Sequence, residues 1–122
     1  MSPLLVPALL SVLIAAIHIV VGGRDEVPPL LRSAELPPVV KFTHFYCWHL
    51  VSVTLVGMAG SFLYAAYASD GRILAILATI QAGTFCLWGL ALVLWKRQRH
   101  RDLPQWALFA GVTATGAWAL TV

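Results

Sequence analysis

The sequence predicts an all-α fold: an integral membrane four-helix bundle, up-and-down, with both termini on the same side. Three observations predict it. The chain has 122 residues, 60% hydrophobic and only 11% charged, whereas a soluble domain carries about a quarter charged residues. Its apolar residues fall into four long segments, about 3–22, 46–67, 73–95 and 104–122. Each approaches the ~20 residues that cross ~30 Å of hydrocarbon at 1.5 Å per residue. The segments are joined by short polar stretches, so residues 1–122 read as a single domain with no soluble part. An open sheet in lipid would leave backbone groups unpaired, and the alternating segments are too short for a barrel.

The first span is apolar from Leu4 onward. It has no basic stretch ahead of it and no small-residue cleavage site behind it, so it reads as a retained helix. Gly22-Gly23 is expected to end it, because Arg24, Asp25 and Glu26 cannot continue in lipid. Pro28, Pro29, Pro37 and Pro38 break the next stretch, with Leu30-Leu31-Arg32 as a short interfacial turn between them. Pro38 suits the first turn of the second helix, where its missing N–H costs nothing. From Pro38 to Tyr67 that helix is longer than the hydrocarbon requires, so it begins among the headgroups. Ser69-Asp70-Gly71 is a tight turn, and Lys96 to Asp102 is a basic loop closed by Pro104 at the start of the fourth span.

Charge sets the expected orientation. The two longer loops hold Arg24, Arg32, Lys41, Lys96, Arg97, Arg99 and Arg101, and the other side holds only Arg72. The positive-inside rule then puts both long loops in the cytoplasm and both termini outside, in a multi-pass protein of the cell inner membrane. The partners this implies are the lipid bilayer and its anionic headgroups. A nucleic-acid role is excluded, because no polar domain exists to present a binding surface. Cys47 and Cys86 lie in apolar runs and read as buried thiols.

The polar residues inside the spans carry the functional expectations, since ionisable groups in a bilayer are costly. On a wheel of about 100° per residue, Ser11, Ala15 and Gly22 fall within about 60° of His18, and Leu9, Leu13 and Val20 fall opposite. Small residues allow close helix approach in membranes, so His18 is expected to point inward. In the second helix, His49 shares a face with Tyr46, Ser52, Val56, Gly60 and Tyr64, which reads as interior. His44 lies about 140° away with Cys47, Trp48, Val51, Leu55 and Phe62, which reads as lipid contact. His44 and Cys47 have the i, i+3 spacing of a metal-ligand pair, but cannot converge with His49 while the helix stays regular. His18 and His49 match in depth near the cytoplasmic boundary, so the pair is a candidate ligand set for haem b or another metal. Asp25 would orient one imidazole through its ring N–H. Gly89, at a similar depth in the third helix, would leave room for a flat cofactor, and Gln81 would hydrogen-bond between helices.

The stretch His18-Ile-Val-Val-Gly-Gly-Arg-Asp, then Pro-Leu-Leu and Phe-Tyr-Cys-Trp-His, resembles a group of small four-span bacterial inner-membrane proteins. The resemblance covers most of the chain and implies the fold, but supplies no activity. A weaker analogy is to the membrane anchors of succinate dehydrogenases, which hold haem b between helices. The signatures HExxH, CxxC and the HxxHH boxes of membrane hydroxylases are absent.

Three functions are therefore expected in turn. The first is a small redox or metal-binding membrane protein, with His18 and His49 holding haem b or a transition metal. The second is an enzyme acting on a lipid or amphipathic substrate. There His18 or His49 is the general base, Asp25 orients it, and Arg24, Arg32 or Lys41 holds a charged substrate group. The third is a non-catalytic accessory subunit, in a homo-oligomer or a larger membrane complex. A groove open to the headgroup zone beside the histidines would distinguish the second from the first.

Overall fold

The computed structural model describes residues 2–122. It begins with a helical run longer than the sequence suggests. α1 (Leu5–Ala16) passes into a π-helical stretch, Ile17–Gly22, then α2 (Gly23–Asp25) and α3 (Val27–Arg32). Only Glu26 departs from the helix, at φ −104°. Gly22-Gly23 therefore does not end the helix. Both glycines hold helical φ near −60°, and the Trp48 indole lies over them. Pro28 and Pro29 do not break the run because they stand in the first turn of α3, where an amide hydrogen is unpaired in any case.

α4 (Pro38–Tyr67) starts the same way, with Pro37 extended at ψ 144° and Pro38 in the first turn. A tight turn, closed by the Gly71 amide donating to the Ala68 carbonyl at 3.1 Å, leads to α5 (Arg72–Trp95). Beyond α5 the amide of Gln98 reaches back to the Val93 carbonyl at 2.9 Å, and Arg97 takes the left-handed conformation, φ 50°. This is the Schellman closure that glycine usually makes. α6 (Gln105–Ala119) follows Pro104 and has 15 residues, about 22 Å at 1.5 Å per residue. The fourth segment, expected to span over 104–122, is thus a shorter helix. Three helices are long and apolar enough to cross a membrane: Leu5–Arg32, Pro38–Tyr67 and Arg72–Trp95. No strand occurs among the described residues.

The four long helical pieces pack in a ring, α1 against α4 and α6, and α5 against α4 and α6. Successive members run antiparallel. Arg72 at the start of α5 donates from Nη2 to the Leu120 carbonyl at the end of α6, 3.1 Å away. At the other end of that pair, Gly89 packs on Trp106. Leu9, Leu13 and Val20 are exposed on the outside of the first helix, while Ala8, Ser11, Ile14 and Ala15 are buried. Aliphatic side chains facing outward along membrane-length helices suit solvation by lipid.

The face of α4 is the reverse of the wheel's prediction. Leu55, Met58, Ala59 and Phe62 are buried, whereas Tyr46 is 63% exposed, and Val56 and Tyr64 are also outside. Gly60 has nothing within 4 Å of where a Cβ would stand. The reason is complementarity. The partners of α4 present small side chains, Ala8, Ser11 and Ala15 from α1 and Ala75, Ala78 and Ala82 from α5, so α4 fills the middle with its large ones. Among the described residues no hydroxyl bonds from one of these helices to another. Ser11 donates to the Pro7 carbonyl, Thr79 to Ala75 and Thr113 to Phe109, each at 2.7 Å and one turn back in its own helix.

Candidate functional site

The π-helical stretch carries His18. Extra residues per turn shift the direction of every side chain after Ile17, and π segments occur often at functional sites. The His18 ring is half-buried and stacked on the Trp48 indole, with centroids 4.8 Å apart and planes 21° from parallel. Its Nε2 lies 3.3 Å from the Trp48 carbonyl oxygen. A carbonyl only accepts, so Nε2 carries the proton, and in the neutral ring Nδ1 is left with its lone pair. His44 is fixed in the opposite tautomer, because its Nδ1–H donates to the Val40 carbonyl at 2.9 Å. Its Nε2 is the free acceptor.

These rings border a groove of about 480 Å³ between the first helical run and the start of α4. Its apolar walls are Val27, Leu30, Leu36 and Val51, and its polar members are His18, Glu26, His44 and Cys47, with Trp48 on one side. The volume lies within the range of small-molecule sites, ~300–1,000 Å³. The groove opens outward, and Glu26, His44 and Cys47 are themselves exposed. It sits where Arg24, Asp25, Arg32 and Lys41 end the apolar stretches of the sequence.

The structure brings His18 into this groove but not His49. His49 is exposed and packs edge-on against Trp48 at 5.1 Å and Phe45 at 4.6 Å. Both imidazoles touch the indole instead of each other, because α4 turns its Trp48 face inward. His18 thus lines the groove and His49 does not, each ring packing on Trp48. Among the described residues no three His, Cys, Asp or Glu side chains converge as metal ligands. Gly89 leaves no slot for a flat cofactor, since a Cβ there would lie 3.2 Å from the Trp106 Cβ.

Asp25 does not orient a histidine. Its carboxylate takes both Arg24 Nε at 2.7 Å and Nη2 at 3.2 Å, at the surface. Arg24, Arg32 and Lys41 do not line the groove. The acidic group that does is Glu26, which sequence reasoning passed over as part of a polar helix end. His44 and Cys47, the pair at i, i+3 spacing, are exposed as expected and both border the groove. No protein-family model matches this chain, and the curated proteins and solved structures give no significant match either.

Proposed function

We propose that the chain is a four-span inner-membrane protein that binds an amphipathic, lipid-like molecule, with His18 meeting the molecule's polar end. The observation that carries this is the groove: lined mostly by apolar side chains, open at its side, and bordered by an imidazole whose Nε2–H is taken by the Trp48 carbonyl, which leaves Nδ1 as an acceptor. With the basic loops in the cytoplasm, the groove lies at the cytoplasmic leaflet, and a bilayer molecule enters it sideways. The short α6 completes the fourth crossing alongside α5.

The test is native mass spectrometry of the protein released from its membrane. Wild type should retain a single amphipathic molecule. Val51→Trp, which fills the groove wall, should release it and leave the fold intact. Equal retention by wild type and Val51→Trp would place the bound lipid elsewhere and sink the reading.

A second reading has one observation behind it. Gly57 and Gly60 stand on the outer face of α4 with open space around them, which favours close approach by another membrane helix, in a homo-oligomer or larger complex. Gly57→Leu with Gly60→Leu should then shift the complex in native electrophoresis to a smaller species, and an unchanged size would dismiss it.

A further inference from the structure

Resting on the reading of the groove as an amphipathic site, we infer that its occupant is a cationic amphiphile, a single apolar chain with an ammonium head. The polar groups of the groove are nearly all acceptors. Glu26 contributes a carboxylate, and it is the one formally charged side chain in the lining. His18 has Nε2–H committed to the Trp48 carbonyl, so Nδ1 is left as a lone pair. His44 has Nδ1–H committed to the Val40 carbonyl, so Nε2 is likewise a lone pair. An ammonium carries donors and no acceptor, so it suits a lining whose one charge is a carboxylate and whose imidazoles offer lone pairs.

An anionic head finds little here. The guanidinium of Arg24 is held by Asp25, and neither Arg32 nor Lys41 reaches the lining. Helix N-termini ordinarily bind anions through free amides. Two helices begin beside this groove, and both carry proline in the first turn, Pro28 and Pro29 in α3 and Pro38 in α4. Those positions have no N–H to offer. Among the described residues no three His, Cys, Asp or Glu side chains converge as metal ligands, so a metal ion is not the cation that Glu26 meets. The apolar walls from Val27, Leu30 and Val51 then take the chain.

Cys47 supplies the readout, because it lines the groove and is exposed. The full chain carrying Cys86→Ala, which leaves one thiol, is placed in phosphatidylcholine nanodiscs at mildly alkaline pH. Alkylation of Cys47 by N-ethylmaleimide is timed with tetradecylamine, tetradecanoate or tetradecanol present. Tetradecylamine should protect at about fivefold lower concentration than the other two, the scale of one exposed ion pair. Glu26→Gln, at an exposed position, should abolish that preference. Equal protection by amine and alcohol, stronger protection by the carboxylate, or a preference that survives Glu26→Gln would overturn the cationic assignment and leave the amphipathic groove standing. Protection by none of the three would remove the groove reading along with it.

Discussion

His18 and Trp48 are joined twice, ring against ring at 4.8 Å and Nε2 to backbone carbonyl at 3.3 Å. The same carbonyl also accepts from the Ser52 hydroxyl at 3.0 Å. Two attachments on one ring fix both its plane and its tautomer. The stack also ties the π-helical end of the first run to α4, so the width of the groove depends on it.

Trp48 is therefore expected to matter as a wall and as a clamp. Trp48→Ala should lower stability by about 1–3 kcal/mol, less than a fully buried aromatic because the indole is half-exposed. It should also speed alkylation of Cys47. Trp48→Phe keeps a flat ring and should lose less than half as much. Thermal melts in nanodiscs measure both, and a Trp48→Ala protein as stable as wild type would show that the stack holds nothing together.

The histidines should separate by mutation. His18→Ala removes the free Nδ1 from the groove and should weaken amphiphile binding about tenfold, the scale of one hydrogen bond to a charged group. His44→Ala should weaken it similarly. His49→Ala should bind as wild type does, since its ring stands outside the groove. Equal losses from His18→Ala and His49→Ala, with none from His44→Ala, would reinstate the pairing expected from depth alone.

Most of the helices were legible because their lengths and punctuation are strong. Pro38, Ser69-Asp70-Gly71 and Pro104 stand next to real helix starts and turns. The first helix runs past Gly22-Gly23 and Pro28-Pro29 because proline is harmless in a first turn and helical glycine is tolerated beneath Trp48. The face of α4 was misread for a deeper reason. Small residues do not by themselves mark the inner face of a helix, and here α1 and α5 already present alanine and serine to α4. Phe62 and Met58 had to point inward to fill the space, and this single rotation moved His44 and Cys47 to the site and His49 away from it. A wheel drawn for one helix carries no information about its partner's side chains, and none about a π-helical stretch that resets the angle after Ile17.

Two glycines test the packing account in opposite directions. A Cβ at Gly116 would lie 2.6 Å from Thr79 Oγ1 and 3.2 Å from the Phe62 ring, and both neighbours are buried. Gly116→Ala should cost about 1–3 kcal/mol by overpacking. Gly60 meets nothing within 4 Å, so Gly60→Ala should be neutral or stabilise by up to ~1 kcal/mol through helix propensity. Thermal melts of the two variants check this, and the reverse order would mean that Gly60, and not Gly116, sits at a helix contact.

The last prediction concerns α6. Its 15 residues reach about 22 Å, short of the ~30 Å of hydrocarbon. Length alone would leave its crossing open, but the packing constrains it. α5 has the length of a span. α6 lies antiparallel along it, with Trp106 against Gly89 at one end and the Leu120 carbonyl beside Arg72 at the other. If α5 crosses, Val122 must emerge on the side of Arg72, whatever the length of α6. The shortfall is then met by thinning of the bilayer and by the turns that flank the helix. On the proposed topology the basic residues between α5 and α6, Lys96, Arg97, Arg99 and Arg101, keep the other side in the cytoplasm. A phosphatase fused after Val122 should therefore be active outside, and a fusion at Gln98 should be inactive. Lys96, Arg97, Arg99 and Arg101 all changed to glutamine should reduce that difference. An inactive phosphatase after Val122 would mean that α6 does not follow α5 across, and the Arg72–Leu120 contact would then be absent in the bilayer.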